Sequence, residues 1–235
     1  MKLTVGSLFA GIGGFDLGLE RTGGFKTVWQ VEIDPYARRV LEKQWPNVLR
    51  WDDVRTFPPK PIKQWKCDVI CGGFPCQDIS DAGKRQGIDG ERSGLWSEFA
   101  RVLRVLRPRY VIVENSAAIV GRGLGRVLGD LSEIGFDAEW SVVSACSMGA
   151  LHRRERMLIV AHANVKQSRQ CWGKRFAEIC NKEWNLCKWP GESEPVRMVD
   201  GVPNRLDRNH CLGNAIIPQI VQMIGNGILA IENVK

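Results

Sequence analysis

Cys76 follows a short apolar segment, a position at which a loop can expose a reactive thiol. It belongs to the run GGFPCQ at residues 72–77, directly after the short apolar segment at residues 67–71. Pro75 fixes its own φ angle and favours an extended conformation at Phe74, so we expect the thiol to be held in place. Ligands of open α/β sheets bind at the carboxyl ends of strands, and a cysteine is the most nucleophilic common side chain near neutral pH. Cys76 is therefore predicted to be a nucleophile.

A carboxylate and two guanidiniums have a similar setting. Glu114 follows the apolar run Tyr110–Val113, and burial there would raise its pKa and help it hold or donate a proton. Arg154 and Arg156 precede another apolar run and, in an extended segment, point to the same side. Such a pair can clamp a phosphate or orient a carboxylate. The alternatives are a structural carboxylate for Glu114 and a solvated basic turn for the arginines.

A glycine-rich turn near the start of the chain indicates a nucleoside-type cofactor. The loop FAGIGGF at residues 9–15 joins the first apolar run to a helical segment, where backbone N–H groups favour a negative group. Glu32 ends the next apolar run about 20 residues further on, where an acid can accept hydrogen bonds from ribose hydroxyls. Asp53 could accept from an adenine amino group or be a solvated turn residue. Gly13 and Gly14 are adjacent, which departs from the G-x-G-x-x-G spacing and weakens a nicotinamide interpretation.

Apolar runs alternate with helical patterns through the first two-thirds of the chain, which predicts an α/β fold with a mostly parallel, doubly wound sheet. The predicted strands are Leu3–Phe9, Phe25–Val31, Cys67–Cys71, Tyr110–Val113, Trp140–Ala145 and Met157–Ala161. The predicted helices run to about Arg21, from Pro35 to about Gln44 with Asp34 as N-cap, from Leu95 to Leu106, from Leu124 to Ile134 before Gly135, and from Pro218 to about Ile231.

Charge and composition limit the class of protein. The 235 residues carry a net charge of +7, which favours an anionic partner, with nucleic acid as the first hypothesis and an acidic surface or membrane as alternatives. No run of 18 apolar residues occurs, so no membrane span is expected, and the N-terminus is typical of a strand rather than a signal peptide.

The eight cysteines form no Cys-x-x-Cys pair, so they indicate reduced thiols in a cytoplasmic protein rather than a zinc site. The alternative is a metal site formed by three cysteines and two histidines that are loosely spaced in the sequence: Cys171, Cys180, Cys187, His162 and His210.

Taken in order, these motifs resemble those of the DNA (cytosine-5)-methyltransferases. The matching runs are residues 9–14, 32–34, 53, 73–77, 114–115, 154–156 and 213–215, and the resemblance covers residues 3–161 and 213–232. It implies a Rossmann-like fold that binds S-adenosylmethionine, releases S-adenosylhomocysteine and needs no metal. The cofactor pocket that it implies comprises Phe9, Ala10, Gly11, Ile12, Gly13, Gly14, Glu32, Ile33, Asp53, Val54, Pro75, Leu95, Asn214 and Ala215.

The resemblance also implies a mechanism. Cytosine C5 is a poor nucleophile, and addition of the Cys76 thiolate at C6 makes C5 able to attack the donor methyl. Glu114 would contact N3 and the exocyclic amine, Arg154 would help hold the cytosine and the adduct, and Arg156 would be its structural companion. The base must be flipped out of the duplex to be reached. Residues of the following loop implied to contact DNA are Gln77, Ser80, Lys84, Arg85 and Arg92.

The match is weakest beyond residue 163. We predict a catalytic and cofactor-binding domain at 1–163, a reduced target-recognition module at 164–208 and a helix at 209–235 that returns to the catalytic domain. Ser116 replaces the usual valine and His152 the usual glutamine, while residues 197–205 are similar to short phage-type members. Within the module, Lys174, Arg175, Arg205 and Arg208 are candidate phosphate contacts, with a solvated basic face as the alternative.

The expected partner is duplex DNA, in the cytoplasm of a bacterium or its phage, together with a cognate restriction endonuclease if the enzyme serves restriction-modification. The residues leave two alternatives open: a tRNA cytosine-5 methyltransferase, or a catalytically impaired DNA-binding decoy or regulator. A nicotinamide dehydrogenase would leave Pro75-Cys76 and the arginine pair unexplained.

Overall fold

A computed structural model describes residues 1–75, 94–148, 153–163 and 215–232. These residues form a seven-stranded sheet with the strand order β3-β2-β1-β4-β5-β7-β6. The strands are β1 Leu3–Leu8, β2 Phe25–Val31, β3 Leu49–Trp51, β4 Val69–Gly73, β5 Tyr110–Ser116, β6 Phe136–Ser144 and β7 Glu155–Ala163. The helices are α1 Gly14–Arg21, α2 Pro35–Gln44, α3 Leu95–Leu106, α4 Leu124–Ile134 and α5 Pro218–Glu232.

The sheet is mostly parallel, as predicted from the strand–helix alternation. Strands β1 to β5 pair in parallel, and β7 lies antiparallel between β5 and β6. The carboxyl ends of β1, β2, β4 and β5 therefore meet at one edge of the sheet, which is where ligands bind in folds of this class.

Helices cover both faces of the sheet. On one face α1 packs against α5, and on the other α3 packs against α4. Each face has its own buried apolar cluster, with Phe15, Leu19 and Ile224 in the first and Trp96, Phe99 and Leu131 in the second. The helices thus bury both faces of the sheet, and its carboxyl edge lies between the two layers.

The helix boundaries follow from local chemistry that the sequence shows. The Asp34 carboxylate accepts hydrogen bonds from the backbone N–H groups of Tyr36 and Ala37, and Pro35 opens α2 as predicted. Gly135 ends α4 with a φ of 98°, a left-handed conformation that favours glycine.

Four predicted strands have bounds that differ in the structure by more than one residue, and one strand was missed. The strands predicted at Trp140–Ala145 and Met157–Ala161 begin earlier, at Phe136 and Glu155, because β6 and β7 pair with each other along their whole length.

The strand predicted at Cys67–Cys71 lies at Val69–Gly73, and the Asp68 carboxylate before it accepts hydrogen bonds from the backbone N–H and hydroxyl of Thr4 on β1. Strand β5 extends to Ser116, since β7 continues to pair with it beyond the apolar run. The three-residue β3 had too short a pattern to predict.

No helix within the described residues is both long and apolar enough to cross a membrane.

Candidate active site

A cleft of about 580 Å³ opens at the carboxyl edge of the sheet. It runs from the glycine loop after β1 and the ends of β2 and β3 to the ends of β4, β5 and β7. The predicted cofactor residues that line it are Phe9, Ala10, Gly11, Gly14, Glu32, Ile33, Asp53, Val54, Pro75, Leu95 and Ala215. Glu114 and Arg156 line the same cleft, so the structure brings predicted cofactor and catalytic residues together.

The glycine loop turns sharply between β1 and α1. Gly11 and Gly13 have φ angles of 55° and 86°, which a residue with a side chain adopts at a cost. A Cβ on Gly13 would also lie 2.4 Å from the ring of Trp45. Ile12 and Gly13 were predicted to contact the cofactor, yet neither lines the cleft; Gly13 serves the turn geometry instead.

Glu32 connects the glycine loop to the start of α2 through two hydrogen bonds. One carboxylate oxygen accepts from the backbone N–H of Gly11 at 2.7 Å, and the other accepts from that of Asp34 at 2.8 Å. Burial raises the pKa of Glu32, and the two backbone hydrogen bonds partly offset that rise. Since each carboxylate oxygen can accept a second hydrogen bond, Glu32 keeps acceptor capacity towards the cleft.

The outer wall of the cleft combines an apolar side chain with a carboxylate. Ile33 is 62% exposed although it follows a buried strand, which leaves its side chain available to a flat apolar group. The Asp53 carboxylate accepts from the backbone N–H of Arg55 at 2.9 Å and lies 3.8 Å from the Arg55 guanidinium. Asp53 is thus oriented by its own turn at the rim of the cleft.

Glu114 and Arg156 form an ion pair, with Arg156 Nε 2.8 Å from Glu114 Oε1. The register of β5 and β7 explains it: Glu114 pairs with Leu158 and Ser116 with Arg156, so the two side chains are diagonal neighbours on one face of the sheet. Burial raises the pKa of Glu114, and the charges of Arg156 and Arg154 partly offset this.

The space for the Glu114 carboxylate comes from Gly73, its partner on β4. A Cβ on Gly73 would lie 2.5 Å from Glu114 Oε2. The preceding glycine has a different neighbour: a Cβ on Gly72 would lie 2.2 Å from the Leu8 carbonyl oxygen, so strand β1 approaches the backbone closely there.

Arg154, predicted to help hold the cytosine and the adduct, contacts the segment that precedes α5. Its guanidinium donates to the Ala215 carbonyl oxygen at 2.6 Å, which ties the start of β7 to the segment before α5. Arg154 does not line the cleft, whereas Arg156 does. The two arginines therefore both lie near Glu114, but Arg156, predicted as the structural companion, is the one that contacts it.

Asn115 is a site residue whose role was missed. Its side-chain amide donates to the Phe74 carbonyl oxygen at 3.2 Å, and its carbonyl accepts from the Ser116 N–H. The Phe74 ring packs on Trp96 with 5.3 Å between centroids. The peptide that enters Pro75 is thus held from β5 and from α3. The available signal was the position of Asn115 directly after Glu114.

Other cleft residues were not predicted to line it. They are Phe15, Val31, Asp34, Ala37, Asp52, Arg55, Gly73, Phe74, Ser116 and Ile216. The apolar residues among them carry no chemical signal, whereas Asp34, Asp52 and Arg55 directly follow or precede predicted cofactor residues in the sequence.

Several predicted residues lie outside the described part of the chain. These are Cys76, Gln77, Ser80, Lys84, Arg85, Arg92, His152, Asn214 and the whole module at 164–208. Pro75, the residue before Cys76, lines the cleft.

Comparison with known proteins assigns the family. The model of the C-5 cytosine-specific DNA methylases matches residues 3–198. The Type II methyltransferase M2.BsuMI of Bacillus subtilis is 35% identical over 167 residues, which cover 68% of this chain and 42% of that protein. M.Bsp6I of a Bacillus species is 35% identical over 170 residues, covering 70% of this chain and 53% of that protein.

The chain spans about half the length of the curated relatives it matches. Among solved structures, the methyltransferase EhMeth of Entamoeba histolytica is similar with a TM-score of 0.72 over 100% of this chain and 99% of that one. At 14% identity, this likeness concerns the fold alone. The sequence match over most of the chain decides the assignment: the protein is a member of the C-5 cytosine-specific DNA methylase family.

Proposed function

We propose that this protein transfers a methyl group from S-adenosylmethionine to C5 of cytosine in duplex DNA. The observation that carries the proposal is the Glu114–Arg156 pair, which lies in the same cleft as the Glu32-braced glycine loop and beside Pro75. An acid, a cation and a nucleoside-type pocket around the residue that precedes Cys76 are the parts that this reaction requires. The family membership of the chain supports the same reaction.

The residues on the loop side of the cleft fit the cofactor. Glu32 would accept hydrogen bonds from ribose hydroxyls, and Asp53 would accept one from the adenine amino group. The exposed side chain of Ile33 would pack against the purine ring. Apart from its two neighbours in the chain, no atom of the described residues lies within 4 Å of a Cβ built on Gly11, so the loop leaves space there for the rest of the cofactor. When bound there, S-adenosylmethionine would supply an electrophilic methyl group.

The residues on the other side would act on the base. Cys76 would add to C6 and leave again when the C5 proton has been removed, so that the ring regains its aromaticity. Glu114, whose pKa burial raises, would share a proton with N3 as the ring takes up electron density. Arg156 would hold the carboxylate in place. Arg154, anchored on the Ala215 carbonyl oxygen, would help hold the cytosine and the adduct.

Further site residues belong to the part of the chain that the structure does not describe. Asn214 would complete the cofactor pocket, and Gln77, Ser80, Lys84, Arg85 and Arg92 would contact the DNA around a flipped-out base. Restriction-modification is the proposed context, with a cognate endonuclease as partner, because the matched relatives are Type II methyltransferases.

A methyl-transfer assay tests the proposal. Labelled donor is offered with duplex DNA of mixed sequence or with tRNA, and the modified cytosines are mapped by bisulfite sequencing. We expect label in DNA as 5-methylcytosine, no label with Cys76→Ala, and unchanged transfer with Cys146→Ala, a thiol that does not line the cleft. Label in tRNA alone would favour the tRNA enzyme, and DNA binding without transfer would favour the decoy; either result would overturn the proposal.

A further inference from the structure

Strand β6 forms one edge of the sheet. Its inner side pairs with β7 along its whole length, from Phe136 to Ser144. Its outer side pairs with no other strand within the described part of the chain. The free edge of a long strand carries unpaired N–H and C=O groups and is a ready template for another strand.

The edge also presents apolar side chains. Trp140 and Val142 lie on one face of β6, opposite the buried Ile159 and Met157 of β7. Yet Trp140 is 45% exposed and Val142 is 40% exposed. Trp140 and Val142 thus extend the buried apolar row of β7 to the free edge of the sheet. An exposed aromatic side chain in such a position is typical of a contact surface.

The order of residues along β6 is self-complementary. In a two-fold antiparallel pair centred on Trp140, all of Phe136–Ser144 takes part, Trp140 faces its own copy and Ala138 faces Val142. Glu139 then faces Ser141, so no carboxylate opposes another. A pair centred on Glu139 would oppose two carboxylates, and one centred on Ser141 would leave Phe136 without a partner residue.

We propose that β6 pairs with the β6 of a second copy of this chain, antiparallel and centred on Trp140. The two sheets become continuous, and a row of apolar pairs (Ala138 with Val142, Trp140 with Trp140) closes one face of the junction. A two-fold contact of this kind uses the same surface on both copies. No residue of β6 lines the cleft, so this association is independent of the proposed methyl transfer.

The test is the dissociation constant of the dimer, measured by sedimentation velocity over a concentration series. Ser141→Glu places two pairs of carboxylates opposite each other, and we expect the dissociation constant to rise about tenfold. Ser141→Lys places a lysine opposite each Glu139, and we expect the constant to fall. Net charge alone predicts the reverse, because the chain carries +7 and an added lysine increases self-repulsion.

Matched variants on α4 control for charge. Ser132 is exposed on that helix, so Ser132→Glu and Ser132→Lys make the same charge changes away from the strand, and we expect little effect on the dissociation constant. A wild-type protein that stays monomeric at every concentration would overturn the proposal. A dimer that weakens with Ser141→Lys, or that ignores both Ser141 changes, would also overturn it, since the register centred on Trp140 would then be wrong.

Discussion

The Glu114 carboxylate occupies the space that a side chain on Gly73 would need. The two residues are partners on neighbouring strands, and Glu114 Oε2 lies 2.5 Å from the position of a Cβ on Gly73. The absence of a side chain at one strand end thus makes room for the acid at the next. This relationship, together with the Arg156 ion pair, determines where the carboxylate points.

We expect Gly73→Ala to impair catalysis more than folding. The atom in the way is the end of the Glu114 side chain, which can move, so the fold accommodates the methyl group while the carboxylate is displaced. A displacement of this size is expected to lower kcat by about 10- to 100-fold. Methyl-transfer kinetics and thermal unfolding measure the two effects. Gly125→Ala is the control, because no atom of the described residues outside its own stretch of helix lies within 4 Å of its added Cβ. Equal losses in both variants would contradict the role given to Gly73.

We expect Arg156→Gln to shift the pH dependence of the reaction. Burial raises the pKa of Glu114 and Arg156 partly offsets this, so removal of the cation raises that pKa further. Activity that needs protonated Glu114 is lost as the pH rises through this pKa, and in the variant the loss occurs at higher pH.

The measurement for this variant is the pH profile of kcat/KM, with Arg104→Gln on the exposed side of α3 as control. The maximal rate should also fall, since the carboxylate loses its ion-pair partner. A loss of activity at unchanged or lower pH would contradict the assigned role of Glu114.

We expect Glu32→Gln to weaken cofactor binding. Both carboxylate oxygens accept from backbone N–H groups, and a glutamine would turn its NH₂ group towards one of these donors. One lost hydrogen bond with an unsatisfied N–H corresponds to about a tenfold weaker affinity. Calorimetry with S-adenosylhomocysteine measures this without turnover. Exposed Glu42→Gln on α2 should bind normally, and normal binding by both variants would remove Glu32 from the site.

We expect Asp16→Asn to stabilise the protein at alkaline pH. Asp16 is fully buried, and burial raises its pKa from 3.8 to about 6. A raised pKa stabilises the fold below pH 3.8, and this contribution is lost as the pH rises towards 6, which amounts to roughly 3 kcal/mol. An asparagine avoids the loss, and its NH₂ group can donate to Gln30 Oε1, an atom without a hydrogen-bond partner in the described structure.

Urea unfolding at pH 4 and pH 8 tests this expectation. The gain of Asp16→Asn over the wild type should be up to roughly 3 kcal/mol larger at pH 8 than at pH 4. Asp52→Asn is the control, because its ion pair with Arg38 is exposed and should contribute at most about 1 kcal/mol at either pH. A gain that does not change with pH would mean that Asp16 is not the group responsible.

The sequence allowed the fold class and most helix boundaries to be predicted because their causes are local. The Asp34 cap, Pro35 and Gly135 each act on adjacent residues. The boundaries of β4 and β5 depend on pairing with strands far along the chain, β1 and β7, and were therefore misplaced.

The charged residues of the site could be predicted from the sequence, but their contacts with one another could not. Glu32, Glu114 and Arg156 stood out because charged groups directly follow or begin buried strands. Which arginine contacts Glu114 depends on the antiparallel register of β5 and β7, which no local pattern reveals. The link from Asn115 to Phe74 and the space at Gly73 are relationships between strands and became visible only in the structure.

Capture of Cys76 on its substrate tests directly whether this thiol adds to the cytosine. A duplex that carries 5-fluorocytosine has no proton at C5 to lose, so the thiol cannot leave and the adduct persists. With S-adenosylmethionine present, we expect a covalent protein–DNA complex by intact mass spectrometry, with the DNA on Cys76 after peptide mapping. Methylation of ordinary cytosine without any such complex, or an adduct on another cysteine, would contradict the role proposed for Cys76.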